Sequence, residues 1–272
     1  MCVTTQHYWR SSAVPFVELR STYDSLQSYK PHFHAEFSFG AMISGATRAN
    51  CKGRDHILSA GDLVLIAPHA VHSCNPIAGQ PRSYHMLYVN EAWCLETVAG
   101  LRGRSMAGIR MNKNPALFAE YLDFVMALPC LRAYEANDRL RQLLAAAVEP
   151  EAPAVSLLHG EALAEQIKQA LLESIATPVS LDELARKFEC RKETLIRVFR
   201  RTFHITPHAF LNNVRVEQAK QRLKRGEDIA DVAADLGFSD QSQLHRTFVN
   251  YTASTPGQYR RGPSKATINF RQ

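Results

Sequence analysis

The apolar positions between residues 181 and 259 follow one helical pattern that is written twice. In the first copy they are spaced i, i+3, i+4 and i+7, which is the stripe of a helix that buries one face. These positions are Leu181, Leu184, Ala185 and Phe188, and they return 48 residues later as Ile229, Val232, Ala233 and Leu236. A second set, Leu195, Arg197, Phe199, Thr206, Pro207 and Phe210, returns 49 residues later as Leu244, Arg246, Phe248, Thr255, Pro256 and Tyr259. Such a repeat predicts two copies of one unit, each made of a short helix, a tight turn and a second helix.

The second helix of each copy has a polar face that predicts its partner. Leu244 and Phe248 are four residues apart and share the buried face, so the side chains between them stay exposed. A helix that presents Arg, Gln and Ser suits the major groove of DNA, because Arg pairs with guanine and Gln with adenine. The residues expected to contact DNA are Lys192, Glu193, Ile196, Arg197 and Arg200 in the first copy, and Gln241, Ser242, Gln243, His245 and Arg246 in the second.

The first 110 residues have the pattern of β structure. Short runs rich in Val, Ile, Phe and Tyr are separated by glycines, which predicts strands at residues 37–43, 63–66 and 84–89. Many short strands with turn signals predict a sandwich or a barrel.

From residue 114 onward the pattern becomes helical. Pro115 can begin a helix that Pro129 ends, and residues 134–148 form a second helix. The apolar stripe of that second helix consists of Leu140, Leu143, Leu144 and Ala147. The Pro- and Glu-rich stretch 149–153 is the expected linker, so the predicted domains are residues 1–150 and 158–262. Helices are expected at about residues 160–175, 181–188, 192–202, 207–225, 229–236, 241–251 and 256–260.

Residues 160–261 resemble the double helix-turn-helix domain of the AraC/XylS transcriptional regulators. The second copy carries the resemblance, from Ile229 through Gly237-Phe238 and Arg246-Thr-Phe248 to Thr255-Pro256 and Tyr259. The first copy departs from the family at Arg191, where a capping Ser is usual, and at His204, where Gly is usual. Val249 replaces a common Lys. These changes affect the preferred DNA sequence rather than DNA binding itself.

Two histidine-containing stretches resemble the cupin motifs found in AraC-family sensor domains. They are Pro31-His32-Phe33-His34-Ala35-Glu36 and the stretch from Gly61-Asp62 to Pro68-His69-Ala-Val-His72. The resemblance covers about residues 15–95 and implies a small barrel with an internal pocket. The fold class is therefore α+β with two domains, a cupin-like β-barrel with following helices and an all-α double helix-turn-helix domain.

The histidines of these stretches allow three interpretations. If residues 32–36 form a strand, then His32, His34 and Glu36 face the same side, and His72 approaches them. The group could bind a small polar molecule, with Tyr84 or His85 nearby, or its members could satisfy one another's hydrogen bonds. Imidazoles beside a carboxylate could also bind a divalent metal. Metal-binding cupins usually place their Glu later than Glu36, so neither a metal nor a cofactor is predicted.

Composition narrows the class of protein further. The formal net charge is +6, and residues 186–225 contain 12 basic and three acidic side chains, which indicates a phosphate-facing surface. The six cysteines form no CxxC pair, and the N-terminus has no signal-peptide pattern, so a cytoplasmic protein with reduced thiols is expected. No run is long and apolar enough to predict a membrane span.

These observations predict a transcription factor whose barrel senses a small molecule. The resemblance implies an activator that works with RNA polymerase on promoter DNA, and a homodimer that pairs through the stripe of residues 134–148. Two alternatives stay open: a regulator that needs no ligand, and a metal-dependent cupin enzyme tethered to DNA. No arrangement of serine, cysteine or paired carboxylates indicates catalysis, so the chain is not expected to be an enzyme.

Overall fold

The computed structural model describes residues 5–77, 79–98, 108–148 and 159–261, which fall into two compact units. Residues 5–28 and 33–148 belong to the first unit. Residues 159–261 form the second unit together with the short segment 29–32. The expected linker at residues 149–153 lies outside the described residues. Because the first unit is rich in strands and the second is all helical, the predicted α+β fold class is confirmed.

The described strands of the first unit form two antiparallel sheets. They are β1 (Thr5–Trp9), β2 (Val17–Ser25), β3 (Phe37–Ser44), β4 (Ala46–Cys51), β5 (Arg54–Ser59), β6 (Leu63–Ile66), β7 (His72–Pro76), β8 (Arg82–Val89) and β9 (Ile109–Asn112). The larger sheet has the order β1-β2-β8-β3-β6-β9, and the smaller has the order β5-β4-β7. Within the described strands the two sheets do not join into one closed ladder, so the expected barrel is an open pair of sheets.

The two faces of the larger sheet pack against different partners. Successive residues of a strand point to opposite faces, so Tyr84 and Leu87 of β8 lie on different sides. Leu87 joins an apolar cluster that includes Tyr121 from a helix. Tyr84 joins a cluster that includes Ala49 and Leu58 from the smaller sheet. The face of the larger sheet that carries Tyr84 is called the inner face below, because it lies against the smaller sheet.

The described part of the first unit has three α-helices, which come after β8 and β9 in the chain. They are α1 (Glu91–Thr97), α2 (Pro115–Ala127) and α3 (Ala133–Ala147), and a short 3-10 helix (Leu128–Cys130) separates the last two. Pro115 begins α2 as predicted, and the side chain of Asn114 caps it by accepting the backbone N–H groups of Ala116 and Leu117. Proline at the first helical position costs no hydrogen bond, because that N–H has no intrahelical acceptor.

The apolar stripe of α3 is buried inside its own unit. Leu140 and Leu144 are fully buried, and Leu143 and Ala147 are 4% and 6% exposed. All four belong to the cluster that covers the outer face of the larger sheet. The prediction that this stripe pairs with a second copy of the chain is therefore wrong, because the sheet itself has an apolar face that the stripe covers.

The second unit consists of helices close to the predicted ranges. They are α4 (His159–Glu173), α5 (Leu181–Lys187), α6 (Lys192–Phe203), α7 (Pro207–Lys224), α8 (Ile229–Asp235), α9 (Gln241–Thr252) and α10 (Pro256–Arg261). Ser180, Thr206 and Asp228 cap α5, α7 and α8 through their side-chain oxygens. None of the helices in the described ranges is both long enough and apolar enough to span a bilayer.

Residues 33–36 differ from the prediction in their backbone. They precede β3 without forming a strand, and only an isolated bridge is present at His32. The alternation argument for His32, His34 and Glu36 is therefore wrong, because a side-chain period of two requires a continuous extended strand. The strands predicted at residues 37–43, 63–66 and 84–89 correspond to β3, β6 and the greater part of β8.

Candidate nucleic-acid interface and candidate ligand site

The two helix-turn-helix copies have the same hydrogen bonds in their turns. In the first copy the N–H groups of Glu189 and Cys190 donate to the carbonyls of Arg186 and Ala185, at 3.2 and 3.0 Å. In the second copy the N–H groups of Gly237 and Phe238 donate to the carbonyls of Ala234 and Ala233, at 3.1 and 3.0 Å. Each of these residues in the second copy lies 48 positions after its counterpart in the first copy. The repeat seen in the sequence is therefore also a repeat of backbone geometry.

An aromatic pair holds the second helix of each copy against the following helix. The rings of Phe199 on α6 and Phe210 on α7 are edge to face, with centroids 5.5 Å apart. The rings of Phe248 on α9 and Tyr259 on α10 have the same arrangement and the same distance. Phe199 and Phe248 are fully buried. The opposite faces of α6 and α9, called the first and second recognition helices below, are thereby left exposed.

All ten residues predicted to contact DNA are exposed or half-buried. On the first recognition helix Glu193, Ile196, Arg197 and Arg200 line an open depression of about 560 Å³ together with Arg201. The ammonium group of Lys192 forms a 3.0 Å ion pair with Asp182 on α5. This surface has a large excess of positive charge, as the local composition predicted, and it suits the phosphate backbone of a nucleic acid.

The two recognition helices begin differently. Asp240 caps the second one, since its carboxylate accepts the N–H of Gln243 at 2.6 Å, and this hydrogen bond lowers the pKa of Asp240. The side-chain carbonyl of Gln243 in turn accepts the N–H of Ser239 at 2.7 Å. Arg191 stands at the cap position of the first recognition helix and makes no capping bond with its side chain. Gln243 was predicted to contact a base, and its amide oxygen is here part of the cap.

Arg215 fixes the second turn to the end of α4. This buried side chain on α7 donates through Nε and Nη2 to the carbonyl of Ile175, at 3.0 and 2.7 Å. Its guanidinium also lies 5.5 Å from the ring centroid of Phe238. Burial lowers the pKa of Arg215 from its ordinary value, although the group remains a cation at neutral pH. The charge therefore serves to satisfy the backbone carbonyl of Ile175 rather than to bind DNA.

The histidines of the cupin-like motifs come together in the structure. His34 and His72 have ring centroids 5.3 Å apart. His32, two residues before His34 in the chain, brings a ring nitrogen to within 4.8 Å of theirs. The Nδ1 atoms of His32 and His72 lie 2.7 and 2.8 Å from the backbone carbonyls of Lys30 and Ala70.

These carbonyl contacts assign the tautomers. A carbonyl oxygen only accepts, so Nδ1 carries a proton in His32 and His72, and in the neutral form of each ring the lone pair is on Nε2. Such a set can bind a divalent cation through three nitrogens, or it can bind an anion after protonation. Glu36 is not part of the group, and its Oε2 atom is buried with no hydrogen-bond partner among the described residues.

Tyr84 and His85 lie on opposite faces of β8, so the structure distinguishes between them. Tyr84 is on the inner face. His85 lies on the other face, with Nδ1 2.9 Å from the hydroxyl of Ser21, and burial lowers the pKa of His85 to about 4. Of the two candidates named from the sequence, only Tyr84 faces the smaller sheet.

Sequence reasoning missed two residues of the inner face. Tyr88 packs edge to face against His34 at 5.1 Å, and counting in twos along β8 from Tyr84 would have found it. Arg20 donates to the hydroxyl of Tyr84 at 3.2 Å, although its strand gave no motif that pointed to it.

Comparison with known proteins finds a family model for each part of the chain. Residues 15–166 match the family model of an AraC-like ligand binding domain, and residues 184–262 match that of a helix-turn-helix domain. The uncharacterised HTH-type transcriptional regulator YbfI of Bacillus subtilis is 25% identical over 234 residues, which are 80% of this chain and 82% of that protein.

Solved structures with the same fold include two forms of ToxT from Vibrio cholerae. The apo form has a TM-score of 0.56 at 11% identity, and the match covers 96% of this chain and 97% of the other. The form bound to an unsaturated fatty acid has a TM-score of 0.55 at 12% identity, with 96% and 95% covered. At this identity the likeness concerns the fold alone.

Proposed function

Because the chain belongs to the AraC family of transcriptional regulators, we propose that its two recognition helices enter successive major grooves of promoter DNA. The observation that carries this proposal is the repeat itself. Both copies bury a Leu and a Phe and present Arg on the free face, with Arg197 in the first and Arg246 in the second. A base contact is therefore available from each copy, and about 34 Å would separate two contacts one helical turn apart.

The exposed side chains of the two recognition helices suit different groups of the DNA. The first presents Lys192, Arg197 and Arg200, which suit phosphates and guanine edges. The second presents Gln241, Ser242, His245 and Arg246, a mixed set of donors and acceptors that suits base discrimination. Glu193 and Ile196 complete the first surface, where the apolar side chain suits a thymine methyl group.

The first unit is proposed to bind a small polar effector between its two sheets. His34, His72 and Tyr84 are the proposed contacts, with His32 beside them. A protonated imidazole attracts a negative charge, so an anionic or amino-acid-like effector is favoured. One structural neighbour binds an unsaturated fatty acid, which also carries a carboxylate. His85 is left out, since it lies on the other face of β8.

The remaining partners are proposed from the family. The protein is expected to act in the cytoplasm as an activator that works with RNA polymerase, and as a homodimer on paired half-sites. The dimer surface cannot be the stripe of α3, which is buried. The enzyme alternative is not favoured, because metal-binding cupins usually place a Glu with their histidines, and Glu36 lies outside the imidazole group in the described residues.

The test is to map the DNA that the protein binds in cells and to measure binding of recovered fragments by the purified protein. We expect a shared sequence with two contact regions one helical turn apart. Binding that does not distinguish these fragments from unrelated DNA at the same salt concentration would contradict the proposal. Reporter expression with and without candidate effectors then separates a ligand-responsive regulator from one that needs no ligand.

A further inference from the structure

We propose that Arg20, Thr22 and Tyr84 form a carboxylate-binding site on the inner face of the larger sheet. This rests on the proposal that the first unit binds an effector between its sheets, and it names the chemical group that is held. None of these three side chains belongs to the imidazole group. Three observations support this proposal: the register of β2 and β8, the burial of all three side chains, and a buried hydroxyl group on Thr22.

The register brings the three side chains to one face. Thr22 and Tyr84 are direct cross-strand partners of β2 and β8, so both lie on the inner face. Arg20 is two residues before Thr22 on the same strand and shares that face. Its Nη2 atom donates to the hydroxyl of Tyr84 at 3.2 Å. Guanidinium, phenol and hydroxyl groups therefore converge from two neighbouring strands.

The buried hydroxyl of Thr22 points to a ligand. Thr22 is fully buried, and its Oγ1 atom has no hydrogen-bond partner among the described residues. A buried hydroxyl without a partner costs free energy, so the position would favour an apolar residue if no acceptor ever reached that hydroxyl. The isosteric residue Val would fill the same volume without that cost. A ligand oxygen that accepts from Oγ1 accounts for the hydroxyl.

The charge beside this hydroxyl favours an anion. The guanidinium carbons of Arg20 and Arg82 lie 5.8 and 5.7 Å from the ring centroid of Tyr84, and both arginines are less than 5% exposed. Glu18, the acid two residues before Arg20, already pairs with Arg10 at 2.7 Å. Two cations in apolar surroundings stabilise a negative charge more strongly than they would in water.

The donors favour a carboxylate over a phosphate. A planar guanidinium matches the two oxygens of a carboxylate, and the hydroxyl of Thr22 adds a donor for one of them. Arg82 contributes charge, but its Nη2 atom already donates to the carbonyls of Gln27 and Cys74. A phosphate dianion would need more donors to replace its hydration than these side chains supply.

The experiment measures thermal stabilisation of the full-length protein by matched pairs of small molecules. The probes are hexanoate, succinate and benzoate, each compared with its amide at the same concentration, and inorganic phosphate. We expect at least one carboxylate to raise the melting temperature while its amide does not, because a ligand of the folded state stabilises it by mass action. Arg20→Gln and Thr22→Val should each lower the affinity for that carboxylate about 10- to 100-fold, as expected for the loss of a hydrogen bond to a charged group.

Two control variants separate binding from folding. Arg48→Gln removes the same charge from an exposed position on β4 and should leave the carboxylate response unchanged. Thr47→Val removes a buried hydroxyl that donates to the carbonyl of Asn75, so it should lower the melting temperature without ligand. Thr22→Val should not lower it, because its hydroxyl has no such partner. This isosteric variant keeps the test valid if Arg20→Gln does not fold.

Four outcomes would overturn the inference: no response to any carboxylate, an equal response to an amide, a response to phosphate alone, or a response that survives both Arg20→Gln and Thr22→Val. An equal response to an amide would contradict only the preference for a carboxylate and would leave the proposed effector site between the sheets in place. Binding of mapped promoter DNA by the same proteins reports on the proposed function separately.

Discussion

Glu189 and Gly237 occupy the same position in the two turns, 48 residues apart, and both have a positive φ, of 49° and 73°. A Cβ atom at position 237 would lie 1.9 Å from the carbonyl oxygen of Ala176, whereas Glu189 is exposed. The left-handed conformation alone therefore does not demand glycine here. The carbonyl group of Ala176, in the segment that follows α4, approaches so closely that it excludes any side chain at position 237.

Gly237→Ala should destabilise the protein much more than Gly226→Ala. Both positions have a positive φ, so each substitution costs about 1–2 kcal/mol of backbone strain. A Cβ at Gly226 meets nothing within 4 Å, so only Gly237→Ala adds a backbone collision and should exceed about 3 kcal/mol. Urea unfolding of both variants measures the difference. Equal losses would mean that the second turn can move away from Ala176.

Arg246→Ala should weaken binding to the mapped promoter by about 1–3 kcal/mol and relax the preference at one base pair.

Gln243 is best tested by Gln243→Glu, because the new carboxylate still accepts the N–H of Ser239 and preserves the cap. It should weaken binding by charge repulsion without loss of stability. Arg141→Ala, an exposed arginine of α3, controls for net charge. Unchanged affinity and base preference in both test variants would remove these residues from the interface.

The repeat let the sequence predict the second unit well, because helix boundaries there follow local signals. Asp240 and Thr206 are caps of residue types that favour helix starts, and Gly237 has a positive φ, which glycine adopts readily. The first unit was predicted less well, since strand pairing depends on contacts between distant residues. The expected strand over residues 32–36 is absent, and Arg20 meets Tyr84 only through the pairing of β2 with β8.

Leu144→Ala should cost about 2–5 kcal/mol of stability, because the residue is fully buried in the cluster beneath α3. Tyr134→Ala changes an exposed residue of the same helix and should stay within about 0.5 kcal/mol. Chemical unfolding compares them. Leu143→Glu combined with Leu144→Glu should unfold the first unit. A folded monomer from that double variant would instead show that the stripe serves a contact between two chains.

His85 should make the folded protein less stable in acid. Burial lowers its pKa from 6.5 to about 4, so the unfolded chain takes up the proton first as the pH falls. The contribution of His85 to the free energy of unfolding is constant above pH 6.5 and decreases between pH 6.5 and about 4. The total loss is up to about 3 kcal/mol. His85→Gln should flatten the stability profile in that window. Profiles of equal slope in both proteins would show that the imidazole is not buried as described.

The uncapped start of the first recognition helix has a consequence for hydrogen exchange. The N–H groups of Lys192, Glu193 and Thr194 lack the side-chain acceptor that Asp240 provides at the start of the second recognition helix. Their amide protons should exchange with solvent deuterium faster than that of Gln243, because local fraying opens a turn that no cap closes. Without DNA we therefore expect the first turn of the first recognition helix to open more often than that of the second, so that binding of DNA should slow exchange most at the start of the first.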